Sequence, residues 1–113
     1  MKEIKAYIKK HKLDEVVHAL KENHVEDISI CHIQTIGWHH EDMKMYEEIE
    51  KKYPVNEIVK LEIICPVKDM EKLIQIIRKH AYTGTPGDGV IVVSNIEQAL
   101  KIRTGETGRK ALE

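Results

Sequence analysis

Three stretches of the chain hold residue types that could do chemistry. The first, Thr83-Gly84-Thr85-Pro86-Gly87-Asp88-Gly89, puts three glycines and a proline into seven residues. Backbone without Cβ atoms can approach a ligand closely, and the N–H groups of a turn such as Gly87-Asp88-Gly89 can converge on anionic oxygens. The second stretch follows it: Lys101 and Arg103 are the cations that would neutralise such an anion across an interface. Alone the loop is a weak motif, because Gly-Asp-Gly between a helix and a strand is more often a simple turn. The third stretch, Trp38-His39-His40-Glu41-Asp42, offers His39, His40, Glu41 and Asp42 as imidazole and carboxylate ligands suited to zinc or another transition metal. Adjacent histidines diverge on most backbones and no second pair at ligand spacing follows, so a solvated interaction loop is the plainer reading. Tyr46 and Tyr53 fit contact groups in such a loop, and residues 47–52 read as a solvated helix face with a Glu47–Lys51 pair.

The elements that must position these groups follow from periodicity. Ile4, Ala6 and Ile8 alternate with Lys5, Tyr7 and Lys9, which predicts a strand with one buried face. Leu13, Val16, Val17 and Leu20 make one helical stripe, with Asp14 and Glu15 at its positive end. Residues 27–36 read as a second strand with apolar groups on both faces, Ile28 and Ile30 on one and Cys31 and Ile33 on the other. A connection of about 20 residues over 37–58 is uncommon in a compact domain and marks a functional loop. Val59, Leu61, Ile63 and Cys65 give a third strand, and Met70, Leu73, Ile74, Ile77 and Ala81 a second helix with Asp69 as its N-cap. Residues 90–94 form the fourth strand, 96–100 at most a helical turn, and 104–113 a polar tail mobile at its end.

The order βαββαβ is that of an α+β, ferredoxin-like sandwich with both helices on one sheet face. Its other face would be uncovered, and the apolar groups on both sides of the second and fourth strands predict an oligomer. At 113 residues the chain suits a single domain, 1–113. A net charge of -1 gives no electrostatic case for nucleic acid or an anionic membrane surface. No apolar run is long enough for membrane insertion and Met1-Lys2-Glu3-Ile4-Lys5 lacks a signal-peptide core, so the expected location is cytoplasmic. Cys31 and Cys65 read as small buried hydrophobes, and no Ser/His/Asp or Cys/His arrangement supports an enzyme.

Met1-Lys2-Glu3-Ile4-Lys5-Ala6 with Lys12-Leu13-Asp14-Glu15-Val16, Thr83-Gly84 with Gly87-Asp88-Gly89, and Ile102-Arg103-Thr104-Gly105-Glu106 resemble the PII signal-transduction (nitrogen regulatory protein P-II) family. The likeness runs through Glu106 without insertion or deletion. It implies a homotrimer of ferredoxin-like subunits that binds an adenine nucleotide (ADP, AMP or ATP) in clefts between neighbours. It also implies control of a partner protein (an enzyme, transporter or transcription regulator, in nitrogen or related metabolism) through the long loop. The nucleotide-binding residues it implies are Thr83, Gly87, Asp88, Gly89, the position of Val90, Lys101 and Arg103, with Ile28, Ser29, Gly37, Glu62 and Ile64 lining the adenine pocket. Trp38, His39, His40, Tyr46, Lys51 and Tyr53 would form the partner-binding loop.

Departures from the family pattern change the expected ligand. Val90 stands where a phosphate-holding lysine is expected, which favours a diphosphate or monophosphate over a triphosphate. Tyr7 replaces an aliphatic residue beside the base, His39 a glutamine and Ile58 a lysine tied to 2-oxoglutarate, and Lys51 a modifiable tyrosine. Two other readings share the architecture. One is a trimeric metal-binding protein resembling the divalent-cation tolerance proteins, using His39, His40, Glu41 and Asp42; the other is a small-molecule anion sensor using the same cleft.

Overall fold

In the computed structural model, which describes residues 1–36 and 55–113, the four strands and two helices follow the expected order. Strand β1 spans Lys2–Lys9, α1 Leu13–Glu22, β2 Ser29–Ile36, β3 Val55–Cys65, α2 Val67–Ala81 and β4 Val90–Asn95. The sheet order is β2-β3-β1-β4 and every neighbouring pair is antiparallel. Each helix is thus the crossover of a split βαβ unit, so the alternation of the strands and the stripes of the helices meet in one layer.

The register explains which side chains meet. On β1, Ile4, Ala6 and Ile8 lie opposite Ile63, Leu61 and Val59 of β3, and all six are buried under the helices. Val16 and Leu20 of α1, Leu73, Ile77 and Ala81 of α2, and Cys65 complete that core. Each fully buried aliphatic side chain contributes about 1.5–3 kcal/mol, which offsets the entropy of ordering short elements with no side-chain cap at either helix N-terminus. On the outer face, Lys5, Tyr7 and Lys9 lie opposite Glu62, Lys60 and Ile58.

Helix α1 ends in a Schellman turn. His24 takes φ 67°, its N–H donates to the Lys21 carbonyl, and the Val25 N–H donates to the Leu20 carbonyl. The turn returns Val25 and then Ile28 to the edge of the core.

Several elements differ from the sequence expectations. Cys65 is buried, and burial pushes its thiol pKa up, but Cys31 is exposed because it points from β2 to the outer face beside Lys60. Strand β3 begins at Val55, since β2 keeps pairing through Ile36 opposite Val55; positions 55–58 therefore belong to the sheet and not to the long loop. Pro66, with extended φ and ψ, is the N-cap of α2, and Asp69 lies in its first turn, where its charge suits the helix dipole. Residues 96–100 form no helical turn; the 100–107 segment is instead closed by a Leu100–Thr107 bridge. Gly108–Leu112, expected in the polar tail, forms a short 3-10 helix.

Candidate ligand site in two halves

The loop after α2 is organised from within by one carboxylate. Asp88 Oδ2 accepts the Thr83 N–H at 2.9 Å and the Gly84 N–H at 3.0 Å, while Oδ1 accepts the Thr83 hydroxyl. Lys9, at the end of β1, reaches in with Nζ 3.4 Å from Asp88 Oδ1 and 3.0 Å from Thr83 Oγ1, and also donates to Thr85. Burial raises the Asp88 pKa, but the hydrogen bonds from Thr83 and Gly84 and the Lys9 charge outweigh it and leave the group at about 2. Asp88 thus acts as a loop staple that turns inward; its carboxylate is already satisfied by its own loop.

Glycine is required at the end of that loop. A Cβ on Gly89 would lie 1.7 Å from the Tyr7 carbonyl oxygen, and Gly84, Gly87 and Gly89 all have positive φ. Beside them an open cavity of about 440 Å³ is lined by Tyr7, Arg78, Tyr82, Asp88, Gly89 and Val90, among others. Val90 is half exposed on the outer face, directly across from Tyr7.

Other predicted residues gather elsewhere. Ser29 on β2 lies directly opposite Glu62 on β3, and these two with Ile64 and Lys101 line a second cavity of about 350 Å³. Glu62 pairs with Lys60 at 3.0 Å, and that hydrogen bond and charge raise the Lys60 pKa. Lys101 opens a tight hairpin in which its N–H donates to the Glu106 carbonyl at 2.8 Å and its carbonyl accepts the Gly105 N–H at 2.8 Å. Gly105, at φ 76°, makes that turn. At its tip Ile102 is 97% exposed, and Arg103 beside it is exposed too.

The predicted site residues are therefore divided between two places on this chain. Thr83, Gly87, Asp88, Gly89 and Val90 belong to the β4 side; Ser29, Glu62, Ile64 and Lys101 belong to the β2 and β3 side. Strands β3 and β1 separate Ser29 from β4, three inter-strand steps or about 14 Å. Ile28 packs against the core and does not line either cavity. Gly37, Trp38, His39, His40, Glu41, Asp42, Tyr46, Lys51 and Tyr53 lie outside the described residues. Ile58 is buried on the outer face, opposite Lys9 and Ile33.

Two contributors escaped the sequence reading. Lys9 looked like one more polar member of the β1 alternation, and only the fold brings it to residues 83–88. Leu112 and Glu113, in a stretch read as a tail, line the second cavity. The apolar Ala111-Leu112 pair after a polar run was the available signal.

Residues 1–106 match the family model described as "Nitrogen regulatory protein P-II". The chain is 41% identical over 112 residues to a "Nitrogen regulatory protein P-II" of Mesorhizobium japonicum and 39% identical over 112 residues to one of Rhizobium meliloti. Each alignment covers 99% of this chain and 100% of the relative. Among solved structures, that of Arabidopsis thaliana PII bound to citrate superposes with a TM-score of 0.79 at 26% identity, covering 97% of this chain and 90% of that one.

Proposed function

The chain belongs to the nitrogen regulatory protein P-II family, and from that premise we propose that it is a homotrimeric sensor whose subunits bind an adenine nucleotide between them. Members of this family are regulatory signal-transduction proteins and not enzymes. The observation that supports the proposal is that the residues expected to bind the ligand line two separate cavities, one beside β4 and one beside β2 and β3. A ring in which the β4 side of one subunit meets the β2 side of the next would join loop 83–89 to Ser29, Glu62, Lys101 and Arg103 three times over. A head-to-tail contact of this kind closes when its rotation permits, so the complete site and the closed ring are one requirement.

A ligand that favours one conformation of the long loop over another changes the affinity for a regulated protein by population shift. With Val90 offering no charge next to the glycine loop, the phosphate cations of the proposed site are Lys101 and Arg103 from one side and Arg78 beside the loop, one fewer than a lysine at position 90 would give, which favours ADP or AMP over ATP. Calorimetry with ADP, AMP and ATP, each with and without 2-oxoglutarate, tests this reading. ADP binding in the micromolar range, lost in Gly87→Glu and in Arg103→Ala, is the expected result. Survival of binding in both variants, or no nucleotide binding at millimolar concentration, rejects it. Val90→Lys should improve ATP relative to ADP by about tenfold, the worth of one added charge-assisted hydrogen bond of about 1.4 kcal/mol.

One observation favours a second reading. The Arabidopsis PII structure holds citrate, so a small carboxylate sensor using the same cations is the alternative. Citrate binding that ADP does not displace, with no ADP binding alone, would select it.

A further inference from the structure

The hairpin that follows β4 carries an apolar side chain that its own chain leaves uncovered. Ile102, at the tip, is 97% exposed, and the next most exposed large hydrophobic among the described residues, Tyr82, is 62% exposed. The tip is not a loose end. Besides the two main-chain bonds between Lys101 and residues 105 and 106, the Glu106 N–H donates to the Thr104 hydroxyl at 3.2 Å, and the Leu100–Thr107 bridge closes the base. A side chain held out by a preorganised turn costs little further ordering when a partner covers it.

The cavity of about 440 Å³ beside loop 83–89 is the complementary feature. Its floor is Ile8, Ile74, Ala81 and Ile91, with Arg78 and Tyr82 exposed at the rim. The cavities of about 350 and 610 Å³ are both lined by Glu26 and Asp27, whose charges need water, so an apolar side chain suits them poorly. The chain does not fill the apolar cavity with its own hairpin. Lys2 pairs with Asn95 and Tyr7 with Val90, so the cavity lies at the Tyr7 end of β1. The hairpin follows Asn95 at the Lys2 end, about 17 Å away along the strand.

We propose that Ile102 of one subunit seats in this cavity of the next and anchors the subunit contact beside the ligand site. The inference rests on the proposed ring, in which Arg103 of one copy meets loop 83–89 of another. Ile102 and Arg103 are chain neighbours, about 3.8 Å apart between Cα atoms, so a contact that delivers the guanidinium to the loop also brings the isoleucine to the cavity adjoining it. The two side chains then have separate tasks. Arg103 touches the ligand, whereas Ile102 is a positioning residue that holds the hairpin by filling an apolar floor present with or without ligand. A side chain desolvated in a pocket carries much of the energy of such a contact, and one aliphatic group is worth about ten- to a hundredfold in its dissociation constant. The ring therefore forms in the free protein, with its half-sites already opposed.

The test uses the full chain carrying Cys31→Ser, which removes the exposed thiol and leaves the buried Cys65. Ile102→Cys and Ile74→Cys are added singly and together, and each protein is oxidised with copper phenanthroline, without ADP, at a concentration where light scattering shows trimers. On a non-reducing denaturing gel the double variant should run as covalent dimers and trimers, and each single variant as a monomer. Ile102→Asp in the native chain should raise the concentration at which the trimer dissociates by about ten- to a hundredfold with an unchanged circular dichroism spectrum, and Ile102→Leu should keep the native value. Trimers that do not cross-link, or that Ile102→Asp leaves as stable as before, would overturn the inference while leaving the proposed function standing. Cross-linking in a protein that binds no ADP would reject the nucleotide and keep the anchor. A native chain that is monomeric at every concentration would reject the ring and this inference with it.

Discussion

Asp88 has its charge buried in hydrogen bonds from Thr83 and Gly84 and beside Lys9, and this sets a pH dependence. Its folded pKa of about 2 lies below the ordinary value of 3.8, so the staple contributes its full stabilisation above about pH 4 and loses it as pH falls towards 2. The thermal midpoint of the native protein should drop between pH 5 and pH 2 by more than that of Asp88→Asn, which keeps one acceptor but no charge. At neutral pH Asp88→Asn should cost about 1–2 kcal/mol, screened as the group is partly exposed. Equal pH slopes in thermal melts would reject the staple. The glycines separate two kinds of backbone cost. Gly89→Ala drives a Cβ into the Tyr7 carbonyl and should cost about 3 kcal/mol or prevent folding, whereas Gly105→Ala meets nothing within 4 Å and should cost only the left-handed strain of about 1 kcal/mol. Denaturant melts of both variants check the contrast. The type of Gly89 was legible in the sequence as a turn residue; its necessity was not, because the clash partner lies on β1, distant in sequence.

Elements with a clean period were legible, and those whose ends depend on a partner strand were not. The β1 alternation and the stripes of α1 and α2 are local facts, and the core they predict is the core that forms. The start of β3 is not local: residues 55–58 join the sheet because β2 offers them a ladder opposite residues 33–36. Cys31 looked core-like by type, yet its place on β2 faces outward in register with Lys60, which no single-strand pattern reveals. The same limit hid Lys9, whose partners lie more than 70 residues away. The end of α1 gives a prediction at this scale. His24 holds φ 67° at the position where a Schellman turn favours glycine, so His24→Gly should raise stability by about 0.5–1 kcal/mol. A lower thermal midpoint would mean that the His24 side chain makes a contact worth more than the strain.

At the scale of the whole molecule, exposed apolar groups on the two edge strands and the outer face are what the proposed ring would cover. Val90 and Val92 on β4 and Ile64 on β3 are more than a third exposed on the face turned away from the described helices, and Val93 on β4 and Ile30 and Ile36 on β2 are equally exposed on the helix-bearing face at the two sheet edges. Both edge strands of the described sheet carry exposed β-branched residues, a surface that a stable monomer would blunt with charge. In the proposed ring, joining the β4 side of one copy to the β2 side of the next would cover these residues and bring the two proposed half-sites together. Assembly and ligand binding should therefore fail together when one edge is altered, while the fold survives. Val92→Glu separates these outcomes. Val92 lies on the outer face directly across from Lys5, so a glutamate there gains an ion-pair partner within the same subunit and leaves the core untouched. In the proposed ring the same carboxylate would be taken from water into a subunit contact, at a cost of several kcal/mol per copy and three times per trimer. Light scattering should show monomers, circular dichroism an unchanged fold, and calorimetry a loss of ADP affinity of at least about tenfold. A Val92→Glu protein that binds ADP normally as a monomer would place the whole site within one subunit, a result the separation of Ser29 from β4 by two strands does not accommodate.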